Sequence, residues 1–213
     1  MIIFVNMVIF LLLVVFTLTV SSLYFDQGFS ICISLVLGVL TTYIFLTITC
    51  IILHFLFRRC VGKKIGYLPF WKVPLWGIMA ALHYLLFFSV RVLIPRDYLP
   101  NYLLRAFGMK IGSKTINMGL ILDPEMILLG NNVYIGSGVC LSGHVMLRPD
   151  RKVFRAPIVI EDGVRIGQNT VVAPGVHIGA NALILLNTYV PANWKLEGGK
   201  FYGGCPAVEI QVS

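Results

Sequence analysis

The stretch "LSGHVMLRPDRKVFRAP", residues 141–157, gathers most of the side chains in the C-terminal half that could do chemistry. His144 follows two small residues, Ser142 and Gly143. Imidazole, with an ordinary pKa of about 6.5, is mostly neutral near neutral pH and can take a proton from a hydroxyl or amine nucleophile. A general base of this kind typically contributes roughly 10² to 10⁴ in rate. Arg148, Arg151, Lys152 and Arg155 follow within eight residues, opposed only by Asp150. That density of positive charge suits a phosphate, and a solvated surface loop would carry it equally well. A His-only zinc site needs three imidazoles, and beyond residue 100 the chain has only His144 and His177, so no metal is expected. Cys32, Cys50, Cys60, Cys140 and Cys205 are scattered without ligand spacing and read as free thiols. No glycine-rich nucleotide loop precedes this region, and no nucleic-acid partner is indicated.

Something must hold His144 in place, and a period of six supplies it. Steps of six from Ile111 reach Asn117, Asp123, Leu129, Ile135 and Leu141; steps from Ile160 reach Ile166, Val172, Ile178, Ile184, Val190 and Leu196. The second series is aliphatic throughout. Gly or Ala follows these positions at 112, 130, 136, 167, 173 and 179. Such a period fits neither a helix at 3.6 nor a hairpin strand at two, and it fits hexapeptide β-helix repeats. Three repeats close one triangular coil of about 18 residues, stacked roughly 4.8 Å from the next by parallel pairing. Between Leu141 and Ile160 the frame gains one residue, and "RPDRKVFRAP" places charges where an inward residue should fall. A loop over 148–157, extruded from the coil, is the expected result. Asn117 and Asp123 are polar at nominal inward positions, about a coil before His144; each could orient a group in a site or be a satisfied core polar residue.

Residues 108–208 resemble the hexapeptide acyltransferases. The resemblance rests on "FGMKIG", on "PIVIEDGVRIGQNTVVAPGVHIGANA" and on "GGCPA", where the family often reads G-N-P-A and Cys205 departs from the Asn. More loosely, "LDPEMILLGNNVYIGSGVCLSGHV" is similar to membrane-associated acyltransferase-like terminal domains of some amino-acid polymerising synthetases. The resemblance implies a left-handed parallel β-helix, acyl-CoA as cosubstrate, and transfer of an acyl group, acetyl among the candidates, to a hydroxyl or amine. It implies His144, just before an extruded loop, as the base. It also implies a homotrimer with the site in the cleft between neighbouring prisms. By their charge density alone, Arg148, Arg151, Lys152 and Arg155 would there meet phosphate of CoA or of a lipid-linked acceptor. A trimeric scaffold without catalysis would explain the repeat too.

The N-terminal half is of another kind. The 213 residues are 58% hydrophobic with net charge +8, yet residues 1–57 hold no Lys or Arg and one acid, Asp26. Residues 2–24 and 29–57 are apolar runs joined by a short turn; a 23-residue helix is about 35 Å long, enough to cross a hydrocarbon core of roughly 30 Å. Arg58, Arg59, Lys63 and Lys64 follow the second run and place that end in the cytoplasm. Residues 73–94 suggest a re-entrant or interfacial helix anchored by Trp71, Trp76 and Arg91. His54 and His83 read as packed, neutral histidines, and Cys60 as a membrane-proximal thiol. The expected organisation is a membrane domain over 1–96, an amphipathic linker helix over 97–110, and the β-helix over 111–213. The β-helix then lies on the cytoplasmic face of the cell membrane, with membrane lipids and an amphiphilic acceptor as neighbours.

Overall fold

The computed structural model describes residues 2–61, 65–69, 72–78, 81, 99–147 and 152–211. It divides into two compact units, Met1–Ile52 and Leu53–Ser213.

In the first unit, α1 (Ile2–Asp26) turns through Gly28 into α2 (Ile31–Val61), which continues into the second. Within it the Tyr24 and Thr41 hydroxyls lie 2.8 Å apart, and the Phe16 and Phe45 rings stack at 5.3 Å. Ile31–Leu56, 26 residues with mean hydropathy 2.4, is long and apolar enough to cross a membrane. Of the helix expected over 73–94, residues 73–78 and 81 are described and are helical; Trp71, His83 and Arg91 lie outside the described residues.

The second unit is a parallel β-helix, entered through α3 (Leu99–Ala106), which occupies the middle of the 97–110 stretch. His54, near the end of α2, is 3.2 Å through Nε2 from the Phe107 carbonyl, with its ring edge-on to Phe107 at 4.6 Å. Three sheets form the prism. The first holds β2 (Lys110–Ile111), β5 (Ile127–Leu129), β10 (Ile158–Ile160), β13 (His177–Ile178) and β16 (Lys195–Leu196). The second holds β3 (Ile116–Asn117), β6 (Tyr134–Ile135), β11 (Arg165–Ile166), β14 (Leu183–Ile184) and β17 (Phe201–Gly203), with β18 (Val208–Ile210) folding back antiparallel. The third holds β4 (Leu120–Ile121), β7 (Cys140–Leu141), β12 (Val171–Val172) and β15 (Tyr189–Val190).

Register puts like on like: Ile135, Ile166 and Ile184 stack in one column, and Leu141, Val172 and Val190 in another, none more than 1% exposed. Each such side chain contributes about 1.5–3 kcal/mol by leaving water, so these columns stabilise the stacked coils. The corners need a left-handed residue. Asn132, Asn169, Asn181, Asn187 and Asn193 supply it at φ 53° to 63°, a region that asparagine tolerates through its short polar side chain. Gly163 serves one corner at φ 73°, where a Cβ would fall 2.2 Å from Asn181 Oδ1.

The first coil departs from the six-residue frame. Ile121, not Asp123, pairs with Leu141 and takes the inward place, fully buried. The step from Asn117 to Ile121 is four and the next, to Leu129, is eight; their sum still restores the register with the second coil. Asp123 is therefore displaced from the core column into a corner made by a short 3-10 turn, Pro124–Met126. Asn117 does face inward, opposite Ile135, and is 2% exposed.

At the same corner one coil later, β8 (His144–Leu147) and β9 (Lys152–Arg155) form an antiparallel hairpin. The expected loop over 148–157 is thus the far part of an element that begins at His144. A further strand, β1 (Gly66–Tyr67), pairs antiparallel with β9, Gly66 opposite Arg155 and Tyr67 opposite Phe154.

Candidate functional site

The corner between the third and first sheets is where both departures from the repeat meet. The first coil offers Asp123-Pro124-Glu125; the second offers the base of the hairpin, where His144 and Arg155 are directly opposite in register and so share a face. Each base meets an acid. His144 Nδ1 lies 2.5 Å from Asp123 Oδ2, and the Arg155 guanidinium pairs with Glu125. Gly143 permits the approach, since a Cβ there would stand 2.8 Å from Met126 Cβ and 3.1 Å from Asp123 Cβ. The Ser142 hydroxyl donates to the His144 carbonyl at 2.6 Å, and the Ala156 N–H to the Gly143 carbonyl at 3.1 Å, fixing the entry to the hairpin.

A carboxylate accepts and does not donate, so Nδ1 carries the proton in this bond, and in a neutral imidazole Nε2 keeps its lone pair. The side chains differ in exposure, 1% for Asp123 and 19% for His144: the acceptor is sealed and the imidazole keeps one edge toward solvent. The other Asp123 oxygen, Oδ1, accepts from the Trp76 indole N–H at 3.2 Å. The Trp76 and His144 rings meet edge-on at 4.5 Å. Cys140 sits close enough for the Asp123 charge to act on it; burial first, and that charge second, push its thiol above the usual range.

Several expectations change here. Arg155 is fully buried and held by Glu125, so its charge is turned into the fold rather than toward a phosphate. Strand alternation explains this: Val153 and Arg155 point to the buried side, while Lys152 is exposed. Arg148 and Arg151 lie outside the described residues. Asn117 accepts the Gly119 N–H through Oδ1 at 3.0 Å, as a core polar residue does, and is not among the groups bonded to His144 or Asp123. Trp76, expected as an anchor of helix 73–94, is 7% exposed and buried against the pair. Sequence reasoning missed its part in the site, and the local sequence holds no signal for it, because its partner is 47 positions away. Glu125 had a signal, an acid two residues after Asp123 in a run otherwise aliphatic.

His177, the other histidine of the coils, is bonded through Nε2 to Glu161 at 2.7 Å on the exposed outer face of the first sheet. Among the described residues no three His, Cys, Asp or Glu side chains are arranged to hold a metal. A cavity of about 590 Å³ lies on the outer face of the second sheet, between Lys114, Tyr134, Arg165 and Leu185. It does not include the His144 pair.

Residues 157–190 match the bacterial transferase hexapeptide family, described as six repeats. Among solved structures, a hexapeptide-repeat acetyltransferase of Vibrio cholerae in complex with acetyl coenzyme A is 31% identical over 49% of this chain and 60% of its own, with TM-score 0.46. The chain thus spans less than two thirds of that protein. Another structure of the Vibrio cholerae acetyltransferase is 22% identical over 68% of this chain and 94% of its own, TM-score 0.54. A galactoside acetyltransferase in complex with coenzyme A is 19% identical over 62% and 79%, TM-score 0.50. The second and third show that the fold is shared, a hexapeptide-repeat β-helix of the left-handed type. Among curated proteins none matches the sequence.

Proposed function

We propose that the chain is a membrane-anchored acyltransferase that uses acyl-CoA and moves the acyl group to a hydroxyl or amine, with His144 as general base. The observation that carries this reading is the buried carboxylate behind a partly exposed imidazole: Asp123 engages Nδ1 and leaves the other ring nitrogen, Nε2, to meet an acceptor. Nε2 takes the proton from the acceptor O–H or N–H as that atom attacks the thioester carbonyl. Asp123 stabilises the imidazolium so formed. As the tetrahedral intermediate collapses, the C–S bond breaks, the sulfur leaves as CoA and the imidazolium returns the proton to it. Acylated acceptor and free CoA are the products, and His144 is restored. The likeness in fold to an acetyltransferase solved with coenzyme A supports the choice of donor.

Lys152, exposed at the start of β9, together with Arg148 and Arg151, is the set we assign to phosphate of CoA or of a lipid-linked acceptor. A homotrimer places the exposed edge of His144 in a cleft between prisms. The α2 helix spans the membrane, with Arg58 and Arg59 and the β-helix on the cytoplasmic side, where acyl-CoA is made. An amphiphilic acceptor in the same bilayer would then be within reach. Full-length protein in mild detergent, incubated with a series of acyl-CoAs and a membrane extract, should release CoA and yield an acylated lipid-soluble product by mass spectrometry. No release of CoA with any donor, from a trimer by crosslinking, would leave the chain a tethered scaffold.

A further inference from the structure

Trp76 lies outside the repeats, in helical residues 73–78, yet its indole reaches both members of the His144–Asp123 pair. With Nε1 on Oδ1 at 3.2 Å and His144 Nδ1 on Oδ2 at 2.5 Å, each carboxylate oxygen has its own donor. Two donors on opposite oxygens fix the plane of the carboxylate, and the plane fixes the direction of the imidazole. Remove the indole N–H and one oxygen of a 1% exposed carboxylate loses its partner, a costly state in a dry corner that is relieved by rotation. The ring, edge-on to the imidazole at an interplanar angle of 67°, also blocks one side of it.

The segment that carries Trp76 is secured independently of the pair. Val61, Leu68, Trp76 and Val153 form a buried apolar cluster, with Val73 and Leu75 against it. Gly66 and Tyr67 extend the hairpin sheet, and the Leu68 N–H donates to the Val153 carbonyl at 2.9 Å. Residues 65–69 therefore clasp β9 along its outer edge, and residues 73–78 bring the indole to the hairpin's base. This is more contact than a passive linker needs.

We infer that Trp76 is a positioning residue for acyl transfer, so that the acid–base pair of the β-helix is completed by a residue from the N-terminal half of the chain. The inference rests on the reading of His144 as the base. Trp76 acts through Asp123 and His144 and touches no reactant.

The test uses the full chain in detergent. Trp76→Phe keeps a ring against His144 and the apolar cluster and removes only the N–H; Trp76→Ala removes both. Misplacement of a reacting group by a fraction of an ångström costs about 10-fold, so Trp76→Phe should lower kcat about 10-fold with KM for acyl-CoA unchanged and with melting only modestly below the parent. Trp76→Ala should lower kcat more. In a His144→Ala background Trp76→Phe should cost nothing further, because no imidazole is left to position. Parental kcat in Trp76→Phe overturns the inference. So does an equal loss in both backgrounds, which would make Trp76 a packing residue. Parental activity in His144→Ala alone overturns the reading of the base itself, and that single variant separates the two failures.

Discussion

His144–Asp123 and His177–Glu161 are two histidine–carboxylate pairs on one β-helix, at 2.5 and 2.7 Å. The second is exposed on both sides, 41% and 44%, against 19% and 1% for the first. His177 sits at a regular outward position of β13, between Val159 and Lys195 of the adjoining coils. Its partner Glu161, from the preceding coil, also accepts the Ala180 N–H at 2.9 Å, so this pair staples two coils. The first pair arises only where the repeat is broken, in an eight-residue step and in an inserted hairpin, and a third group from outside the repeats holds it. Regular coils make stability; the irregular corner makes a directed imidazole. The same two side-chain types thus do different work according to burial and to what holds the carboxylate.

The largest expected effect breaks the comparison directly. His144→Ala should fold and assemble as the parent does and lose about 10² to 10⁴ in acyl-transfer rate, the usual range for a general base. His177→Ala should keep activity within about twofold of the parent, since a surface pair contributes little. Steady-state turnover of CoA measures both. Equal losses in the two variants would mean that the buried carboxylate confers nothing on His144.

A second contrast concerns stability. Arg155→Met removes a guanidinium from the buried carboxylate of Glu125 and should cost about 3–5 kcal/mol, the range for breaking a buried pair by removing one partner. Lys200→Met removes a base lying 2.6 Å from Glu197 and 2.9 Å from Glu209 at the surface, and should change stability little. Thermal unfolding in detergent compares them. Similar melting for both would show that the Arg155–Glu125 pair does not pin the hairpin to the first coil.

The regular part of this architecture was plain in the sequence and the irregular part was not, for physical reasons. From Ile160 to Leu196 each step of six lands on a buried aliphatic residue, because unbroken coils repeat their corners unchanged. In the first coil a short step and a long one cancel, so the count still closes on Leu129 while Asp123 leaves the core and Ile121 replaces it. His144 was legible as a histidine at the edge of an extruded loop. Its orientation was not, because Trp76 reads locally as one more apolar residue beside a membrane run. Arg155 looked like part of a basic loop because the hairpin's alternation, which buries Val153 and Arg155, appears only once β9 has a partner.

Between these extremes, Gly143→Ala tests how far the pair depends on backbone approach. A methyl group there must push against Met126 Cβ at 2.8 Å and Asp123 Cβ at 3.1 Å, and neither is the far end of a flexible chain. The start of β8 should retreat and lengthen the His144–Asp123 bond. Misplacement by a fraction of an ångström should lower kcat about 10-fold, since 1 Å can cost 10²-fold. The His177–Glu161 pair, on another face, should be unaffected. Unchanged kcat would mean that the corner can shift as a unit.

The smallest effect belongs to the exposed pair and is visible only through pH. The His177 hydrogen bond, and then the Ala180 N–H, hold the Glu161 carboxyl below its ordinary value. A carboxyl whose folded pKa is depressed favours the folded state above its unfolded pKa, and the contribution is lost as pH falls through the folded one. Glu161→Gln should therefore melt slightly below the parent at neutral pH, and the two melting curves should converge in acid below the ordinary carboxylate range. Salt should shrink the difference at neutral pH, because both partners face water. Acyl transfer should not change at any pH at which both proteins are folded. If Glu161→Gln instead reduced kcat as His144→Ala is expected to, the exposed staple would belong to the chemistry, and burial would no longer separate the two pairs.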